Sequence, residues 1–342
     1  MRNLLRSVAS ILPDLDDTLR PDLASRVTTA KLLAVAACAV LLAIALLFWL
    51  FQRRAATSGR KWLARSLSLF IALTLTPIAA GAGLLGYMRW IEPNWISVDH
   101  VIIHSPVLAP ALNRLRLVQI TDLHVEETKT SLWSVQLAVE IINGLHPDAI
   151  FITGDFLSVR GGMEECLKAL DSLHRPPFGI WAIPGNTDEI FYSEEELPPL
   201  CKEHGITMLI NEKRNLTWGD RAPFCLAGVN DPTYGRDDLS MTLDGVPIPL
   251  PVLLLGHSPS ERIITDAVQR RVALLLVGHT HGGQIGIDRL RRLSPYADRT
   301  PYIRGLYYVQ GLPLYVNRGI GTKTREIRLL CRPEITLLEV KR

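Results

Sequence analysis

Leu115-Arg-Leu-Val-Gln-Ile-Thr-Asp-Leu-His124 begins as a short, mostly apolar run and stops abruptly on an aspartate and a histidine. A run this short, bounded by polar residues, reads as a buried strand rather than a helix. The pattern returns four times downstream, in Asp148-Ala-Ile-Phe-Ile-Thr-Gly-Asp155, Gly179-Ile-Trp-Ala-Ile-Pro-Gly-Asn-Thr-Asp188, Val252-Leu-Leu-Leu-Gly-His257 and Val272-Ala-Leu-Leu-Leu-Val-Gly-His-Thr-His281. Between the first two, Leu132 to Leu145 carries apolar residues at helical spacing. Strands alternating with such segments predict an α/β layering, and five strands then deliver their terminal polar residues to one edge. The tail from Tyr307 to Lys341 alternates β-prone runs with turns at Gly311-Leu-Pro313 and Arg332-Pro333, which predicts paired strands finishing a second sheet.

The residues at those strand ends share a chemistry. Aspartate, histidine and asparagine offer carboxylate, imidazole and amide oxygen, a donor set suited to divalent transition ions rather than to calcium or a thiolate-held zinc. A single histidine after a strand is more often a satisfied structural residue. Here His124, His257, His279 and His281, four of the nine histidines, all sit at strand ends, two of them, His257 and His279, directly after a glycine that permits close backbone approach. Five cysteines (Cys38, Cys166, Cys201, Cys225, Cys331) are scattered without a C-x-x-C pair, so they predict free buried thiols rather than a zinc knuckle or disulfide framework.

In the order D-x-H, G-D, G-N-x-D, G-H, G-H-T-H the chain resembles the calcineurin-like metallophosphoesterases over roughly residues 96 to 342. Gly278-His-Thr-His-Gly-Gly-Gln284, Asn317-Arg-Gly-Ile-Gly321 and Ile327-Arg-Leu-Leu-Cys-Arg-Pro-Glu334 resemble the membrane-anchored bacterial branch of that family. The resemblance implies an αββα sandwich of two mixed β-sheets flanked by helices and a site for two divalent ions, manganese first, with iron or zinc as alternatives. Asp122, His124 and His281 would hold one ion, Asn186, His257 and His279 the other, and Asp155 would bridge them. Asp155, Asn186 and Asp188 are the expected catalytic positions, with Thr187 and Arg318 expected on the substrate, the latter because guanidinium matches phosphate oxygens bidentately.

One position departs from the pattern. The family commonly reads Gly-Asn-His-Asp, its histidine being credited with protonating the leaving group, and this chain has Thr187 there. Threonine is no general acid near neutral pH. A phosphate monoester leaves without a proton because its second pKa is about 6, so hydrolysis of a diphosphate tolerates the change best. Related enzymes that cleave UDP-2,3-diacylglucosamine to UMP and a lipid phosphate in lipid A synthesis also replace this histidine, which makes that lipid-linked substrate the expectation. The alternatives are a general membrane phosphodiesterase or phosphatase acting on another lipid, and a non-catalytic metal-binding scaffold.

The first ninety residues read differently. Leu32 to Phe51 is a charge-free apolar run between Lys31 and Arg53, and Ser66 to Met88 is a second, containing Pro77, Gly81, Gly83 and Gly86. Each approaches the roughly 20 residues a bilayer-crossing helix needs, so the expected organisation is a membrane anchor over 1–93, with helices at about 32–51 and 66–88, and a catalytic domain over 94–342. Upstream, Leu4, Leu5, Val8, Ile11, Leu12 and Leu15 suggest a short interfacial helix interrupted by Pro13. Gly81-Ala-Gly-Leu-Leu-Gly86 matches a dinucleotide fingerprint but has no soluble strand before it, so helix packing is the reading. The expected location is the cytoplasmic membrane with the catalytic domain on the cytoplasmic face, although Arg53, Arg54, Arg60, Lys61 and Arg65 against Arg20, Arg26, Lys31 and Arg89 do not fix the side. With a net charge of +3 and no basic run interleaved with aromatics, no nucleic-acid partner is expected. Phe191 to Leu200 and Tyr234 to Val246 are two loop-rich segments suited to a substrate clamp or to core packing.

Overall fold

A computed structural model describes residues 61–126, 129–287, 300–323 and 326–342. The chain divides into two compact units, one ending at Leu85 and the other running Gly86–Arg342. Twelve strands of the second unit form two six-stranded sheets. The first sheet is built from β1 (Ser97–His104), β2 (Leu117–Ile120), β3 (Ala149–Thr153), β4 (Ile180–Ile183), β5 (Ile206–Met208) and the last strand of the chain. The second uses β6 (Glu212–Leu216), β7 (Phe224–Gly228), β8 (Val252–Leu255), β9 (Leu274–Val277), β10 (Gly305–Val309) and β11 (Leu312–Val316), leaving β12 (Glu334–Lys341) to the first. The spatial orders are β1-β12-β2-β3-β4-β5 and β10-β11-β9-β8-β7-β6.

Both sheets are mixed. β2 to β5 pair in parallel, while β12 enters antiparallel to β2 and parallel to β1. In the other sheet β7, β8, β9 and β11 are parallel, with antiparallel β6 and β10 at the edges. Four of the predicted strands fall on β2, β3, β4 and β9 and a fifth coincides with β8, because buried parallel strands read as continuous apolar runs.

Pleat alternation divides the side chains into layers. Leu117, Phe151, Ile183, Leu226, Leu253, Leu255, Leu274 and Leu276 fill the space between the sheets. Val118, Ile120, Ile150 and Ile152 face the other way, onto Val135, Ala138 and Ile142 of helix α2 (Lys129–Leu145) and Met163 and Leu167 of α3 (Gly162–Leu170), where α1 is the Lys61–Gly86 helix of the first unit. Leu254, Leu275 and Val277 face Ile263, Ile264 and Ala267 of α5 (Glu261–Gln269), α4 being Leu197–Glu203. The result is an αββα sandwich, as the resemblance implied. Of the two loop-rich segments, the first is core: Leu197 is buried, and Phe191 and Tyr192 pack against the α2 and α3 layer.

Helix α1 covers the second predicted apolar span, and Leu69–Asn94 is long and apolar enough to cross a membrane, with mean hydropathy 1.9. It is the single such span among the described residues. Its Leu69, Phe70, Leu73, Ile78, Leu84 and Leu85 side chains are exposed. The predicted 32–51 helix and the interfacial segment lie outside the described residues. Cys166, Cys201, Cys225 and Cys331 are free and buried, and Cys38 lies outside the described residues.

Candidate metal centre

All the predicted ligand loops leave the C-terminal ends of parallel strands, β2, β3 and β4 in one sheet and β8 and β9 in the other, so the two sheets present them at one end of the sandwich. Gln119 fastens that end, its amide donating to Thr153 Oγ1 at 3.0 Å and across to the Val277 carbonyl at 3.0 Å. Asn317 adds a second stitch, donating to the Gln119 carbonyl at 3.3 Å and to Thr336 Oγ1 at 2.7 Å. The loops turn sharply: Asp122, His124, Asp155, His279 and His281 all take left-handed backbone angles, with φ between 47 and 69°. For non-glycine residues that conformation costs on the order of 1 to 3 kcal/mol each and is retained where function requires it.

Two groups of donors emerge. Asp122, His124 and His281 form one, Asp155, His257 and His279 the other, with the donor atoms of each group within 4.8 Å of one another. His124 Nε2 and His281 Nε2 approach to 3.0 Å, and Asp122 Oδ1 lies 3.4 Å from His281 Nε2. Asp155 Oδ2 stands between the groups, 3.3 Å from His124 Nε2 and 3.4 Å from His257 Nε2. His257 Nδ1 lies 2.7 Å from the Thr153 carbonyl and must donate its proton there. A neutral His257 therefore turns a lone pair toward the Asp155 carboxylate, two acceptors face to face, which is stable only with a cation or proton between them.

Electrostatics point the same way. Burial lowers His124 to about 4 and His279 to about 3, and drives His281 well down, so these rings are neutral and ready to coordinate. Burial lifts Asp122 to about 6. Burial also opposes charge on Asp155 and His257, but their mutual attraction prevails, holding the acid well below its usual range and raising the imidazole to about 10. A proton thus fills the place a metal would take. The Oδ1 atoms of Asp122 and Asn186 are buried without a hydrogen-bond partner. Unpaired buried oxygens are costly, and these two fit a divalent cation.

The remaining predicted residues fare differently. Asp188 accepts from the backbone N–H of Phe156 at 2.9 Å and Gly185 at 2.8 Å, so it clamps the loops bearing Asp155 and Asn186. Burial, with Asp155 nearby, lifts it to about 7. Thr187 donates its backbone N–H to Asp155 Oδ1 at 2.8 Å and its hydroxyl to Oδ2 at 3.1 Å. Arg318, expected on the substrate, has its guanidinium 2.9 Å from both Glu334 and Asp99, in an ion-pair network at the β1/β12 edge. Glu334, at the start of β12, is almost wholly buried and needs that charge, which sequence spacing gave no means to foresee.

Three residues were missed. Lys323 Nζ lies 3.5 Å from Asp155 Oδ2 and donates to Thr187 Oγ1 at 2.9 Å. Arg328, fully buried, donates to the carbonyls of Arg318, Gly319 and Gly321 and so fixes the loop that leads to Lys323. Ser158 Oγ is 3.2 Å from His124 Nδ1 and orients that ring. Nothing in the local sequence separates these side chains from ordinary loop residues.

Residues 115–283 match the calcineurin-like phosphoesterase family. Among curated relatives, the metallophosphoesterase YkuE of Bacillus subtilis is 30% identical over 275 residues, covering 80% of this chain and 95% of that protein. The phosphodiesterase YaeI of Escherichia coli is 28% identical, covering 79% and 97%. The UDP-2,3-diacylglucosamine pyrophosphatase LpxG of Chlamydia trachomatis is 25% identical, covering 79% and 97%.

Proposed function

This chain belongs to the calcineurin-like phosphoesterase family and is a metal-dependent phosphohydrolase, and we propose that it cleaves a diphosphate bond in a lipid-linked substrate, with UDP-2,3-diacylglucosamine, cut to UMP and a lipid phosphate, as the best match. The observation that carries the lipid part is the long apolar span Leu69–Asn94, whose Arg89, Pro93 and Asn94 also line, with Glu126, Ser134, Ile320 and Glu326, a small cleft beside His124. Arg89 to Asn94 is the end of the long apolar span. Trp90, Ile91 and Trp95 are 58, 51 and 50% exposed there, and tryptophan at the end of an apolar helix suits the bilayer interface. We place the protein at the cytoplasmic face of the cytoplasmic membrane, where a lipid-linked substrate would reside. The relative named as a UDP-2,3-diacylglucosamine pyrophosphatase supports the head group.

In this reading Asp122, His124 and His281 hold one ion, Asn186, His257 and His279 the other, and Asp155 bridges, with manganese preferred and iron or zinc as alternatives. When bound, such a pair supplies Lewis acidity toward phosphoryl oxygens and lowers the pKa of water. The chain's part is positioning. Thr187 holds both oxygens of Asp155, Asp188 locks the Asp155 and Asn186 loops together, and the Thr153 carbonyl sets the His257 tautomer. With threonine at position 187, the leaving group must depart without an acid from that position, which favours a phosphate over an alkoxide.

A phosphodiesterase on another lipid is the second reading, favoured by the relative named as a phosphodiesterase. Full-length protein in detergent, stripped with chelator and reloaded with manganese, separates the two. The proposal expects hydrolysis of UDP-2,3-diacylglucosamine well above that of bis(p-nitrophenyl) phosphate, both abolished in Asp155→Ala. Cleavage of the simple diester alone sinks the lipid-nucleotide substrate, and metal uptake without hydrolysis of either leaves a binding scaffold.

A further inference from the structure

Lys323 is a cation inside a site built to hold cations, and that placement needs a reason. Its Nζ lies 3.5 Å from Asp155 Oδ2, the carboxylate oxygen between the two donor groups, and 2.9 Å from Thr187 Oγ1. The side chain is 30% exposed, so the ammonium sits at the mouth of the site rather than sealed beneath it. Its position is engineered by the surrounding chain. Gln284, three residues past His281 and with φ 56°, accepts from the Lys323 backbone N–H through Oε1 at 3.1 Å and donates to the Ile327 carbonyl at 3.0 Å. Arg328 pins the preceding Arg318 to Gly321 carbonyls.

Charge arithmetic then selects a ligand class. Two divalent ions against the carboxylates of Asp122 and Asp155 would leave the centre positive by two charges, an excess that the single negative charge of a simple phosphodiester does not balance. An ammonium added at 3.5 Å from Asp155 is repelled by loaded metals unless further negative charge arrives with the substrate. A diphosphate brings that charge on its second phosphate. We propose that Lys323, with Thr187 as its anchor, binds the phosphate that departs when a diphosphate substrate is cleaved, and thereby selects diphosphates over simple diesters.

The step balances with water as the one co-reactant. The water oxygen bonds to the attacked phosphorus, the bridging P–O bond breaks, and its electron pair stays on the departing phosphate, where the Lys323 ammonium faces the new charge. The proton released from water passes to solvent, because a phosphate leaving group needs none.

This inference rests on the phosphohydrolase reading, so its test includes a readout that does not require turnover. Manganese-loaded full-length wild type, Lys323→Met, Lys323→Gln and Lys323→Arg are titrated with inorganic pyrophosphate and, separately, inorganic phosphate, with Lys168→Met, on the exposed face of α3, as control. Losing one charge-assisted contact corresponds to about tenfold in affinity. Pyrophosphate binding is expected to weaken about tenfold in the Met and Gln variants, with phosphate binding and bound manganese nearly unchanged and the Arg variant close to wild type. In turnover, kcat/KM for UDP-2,3-diacylglucosamine should fall by a larger factor than that for bis(p-nitrophenyl) phosphate. Equal pyrophosphate affinity in wild type and both neutral variants, equal weakening toward both anions, or loss of manganese would each overturn the proposal. If wild type hydrolyses nothing, the functional reading fails while the pyrophosphate titration still decides the role of Lys323.

Discussion

Gly185 is the position at which one methyl group should cost the most. A Cβ there would lie 2.3 Å from both the backbone nitrogen and Oδ1 of Asp155, against 3.4 Å for ordinary contact, so 3.4 less 2.3, or about 1.1 Å, must be found by movement. Neither side yields easily. Asp155 is held by Thr187 through two hydrogen bonds, and Gly185 itself donates to Asp188 at 2.8 Å. In Gly185→Ala the loops bearing Asp155 and Asn186 must therefore part. Overpacking of this kind destabilises by about 1 to 3 kcal/mol, while a displacement near 1 Å in a catalytic constellation costs about 10²-fold in rate. The expected result is a folded protein with lowered melting temperature, bound manganese below wild type, and kcat/KM on a phosphodiester down about 10²-fold. Gly144→Ala is the control, since a Cβ in that turn of α2 meets nothing within 4 Å; helix propensity predicts a gain of up to about 1 kcal/mol and full activity. A Gly185→Ala protein with wild-type metal content and activity within threefold of wild type would refute the steric argument.

Metal removal should destabilise the protein more at alkaline than at acid pH. Burial lifts Asp122 to about 6 and Asp188 to about 7, above ordinary carboxylates. Asp122 and Asp188 therefore contribute stability to the metal-free folded state that falls as pH rises between about 4 and 7, opposed below about 6.5 by His124, His279 and His281, whose lowered values act in the other sense. Metal binding must displace the protons held on Asp122 and His257, so its stabilisation grows as pH rises. His257, raised to about 10, acts in the same direction, its contribution fading as pH climbs from its unfolded value of about 6.5. Differential scanning fluorimetry with and without chelator should give a wider melting-temperature gap at pH 8 than at pH 5.5, and an equal or narrower gap would contradict the charge assignment. Separately, Arg318→Met removes the partner of buried Glu334, a change that costs about 3 kcal/mol while leaving kcat of the folded fraction within about threefold. A large fall in kcat at unchanged melting temperature would return Arg318 to the substrate.

The strands that carry the ligands were legible because each is buried on both faces, so apolar runs such as Val252–Leu255 have no polar interruption to confuse them. β1 was not, since Ser97-Val-Asp-His-Val-Ile-Ile-His104 is a sheet-edge strand with mixed exposure and has neither a clean alternation nor a continuous run. β7 was missed for want of a histidine to draw attention to it, although Phe224-Cys-Leu-Ala-Gly228 is wholly buried. At the site, the family resemblance implied the two donor groups, but not which side chains are already paired. Arg318 and Asp188 were assigned by motif, and their real partners, Glu334 and the N–H groups of Phe156 and Gly185, are set by tertiary packing. Lys323 was invisible for the converse reason. It lies 136 positions from Thr187, and only the crossing of the loop after β11 over the loop after β4 brings them together.

These placements imply a division of labour between the rigid and the ionic parts of the site. Five left-handed ligand residues and a cluster of buried carboxylates are each unfavourable without metal, yet the loops keep their shape through contacts that do not use the ligand atoms. Arg328 satisfies four carbonyls, Asp188 gathers N–H groups from two loops, and Gln119 and Asn317 join the sheets. Glycines complete the frame: a Cβ at Gly278 would lie 2.2 Å from Thr121 Oγ1, and one at Gly319 2.7 Å from the Asp122 Cβ. The ligand atoms are thus left facing one another, carboxylate to imidazole and imidazole to imidazole, lone pair against lone pair wherever no proton intervenes, an arrangement that cations relieve. A site preorganised in this way spends little free energy on rearrangement when metal binds. The same logic makes neutral substitutions in the frame, such as Asp188→Asn, a greater threat to metal affinity than their distance from the ions suggests.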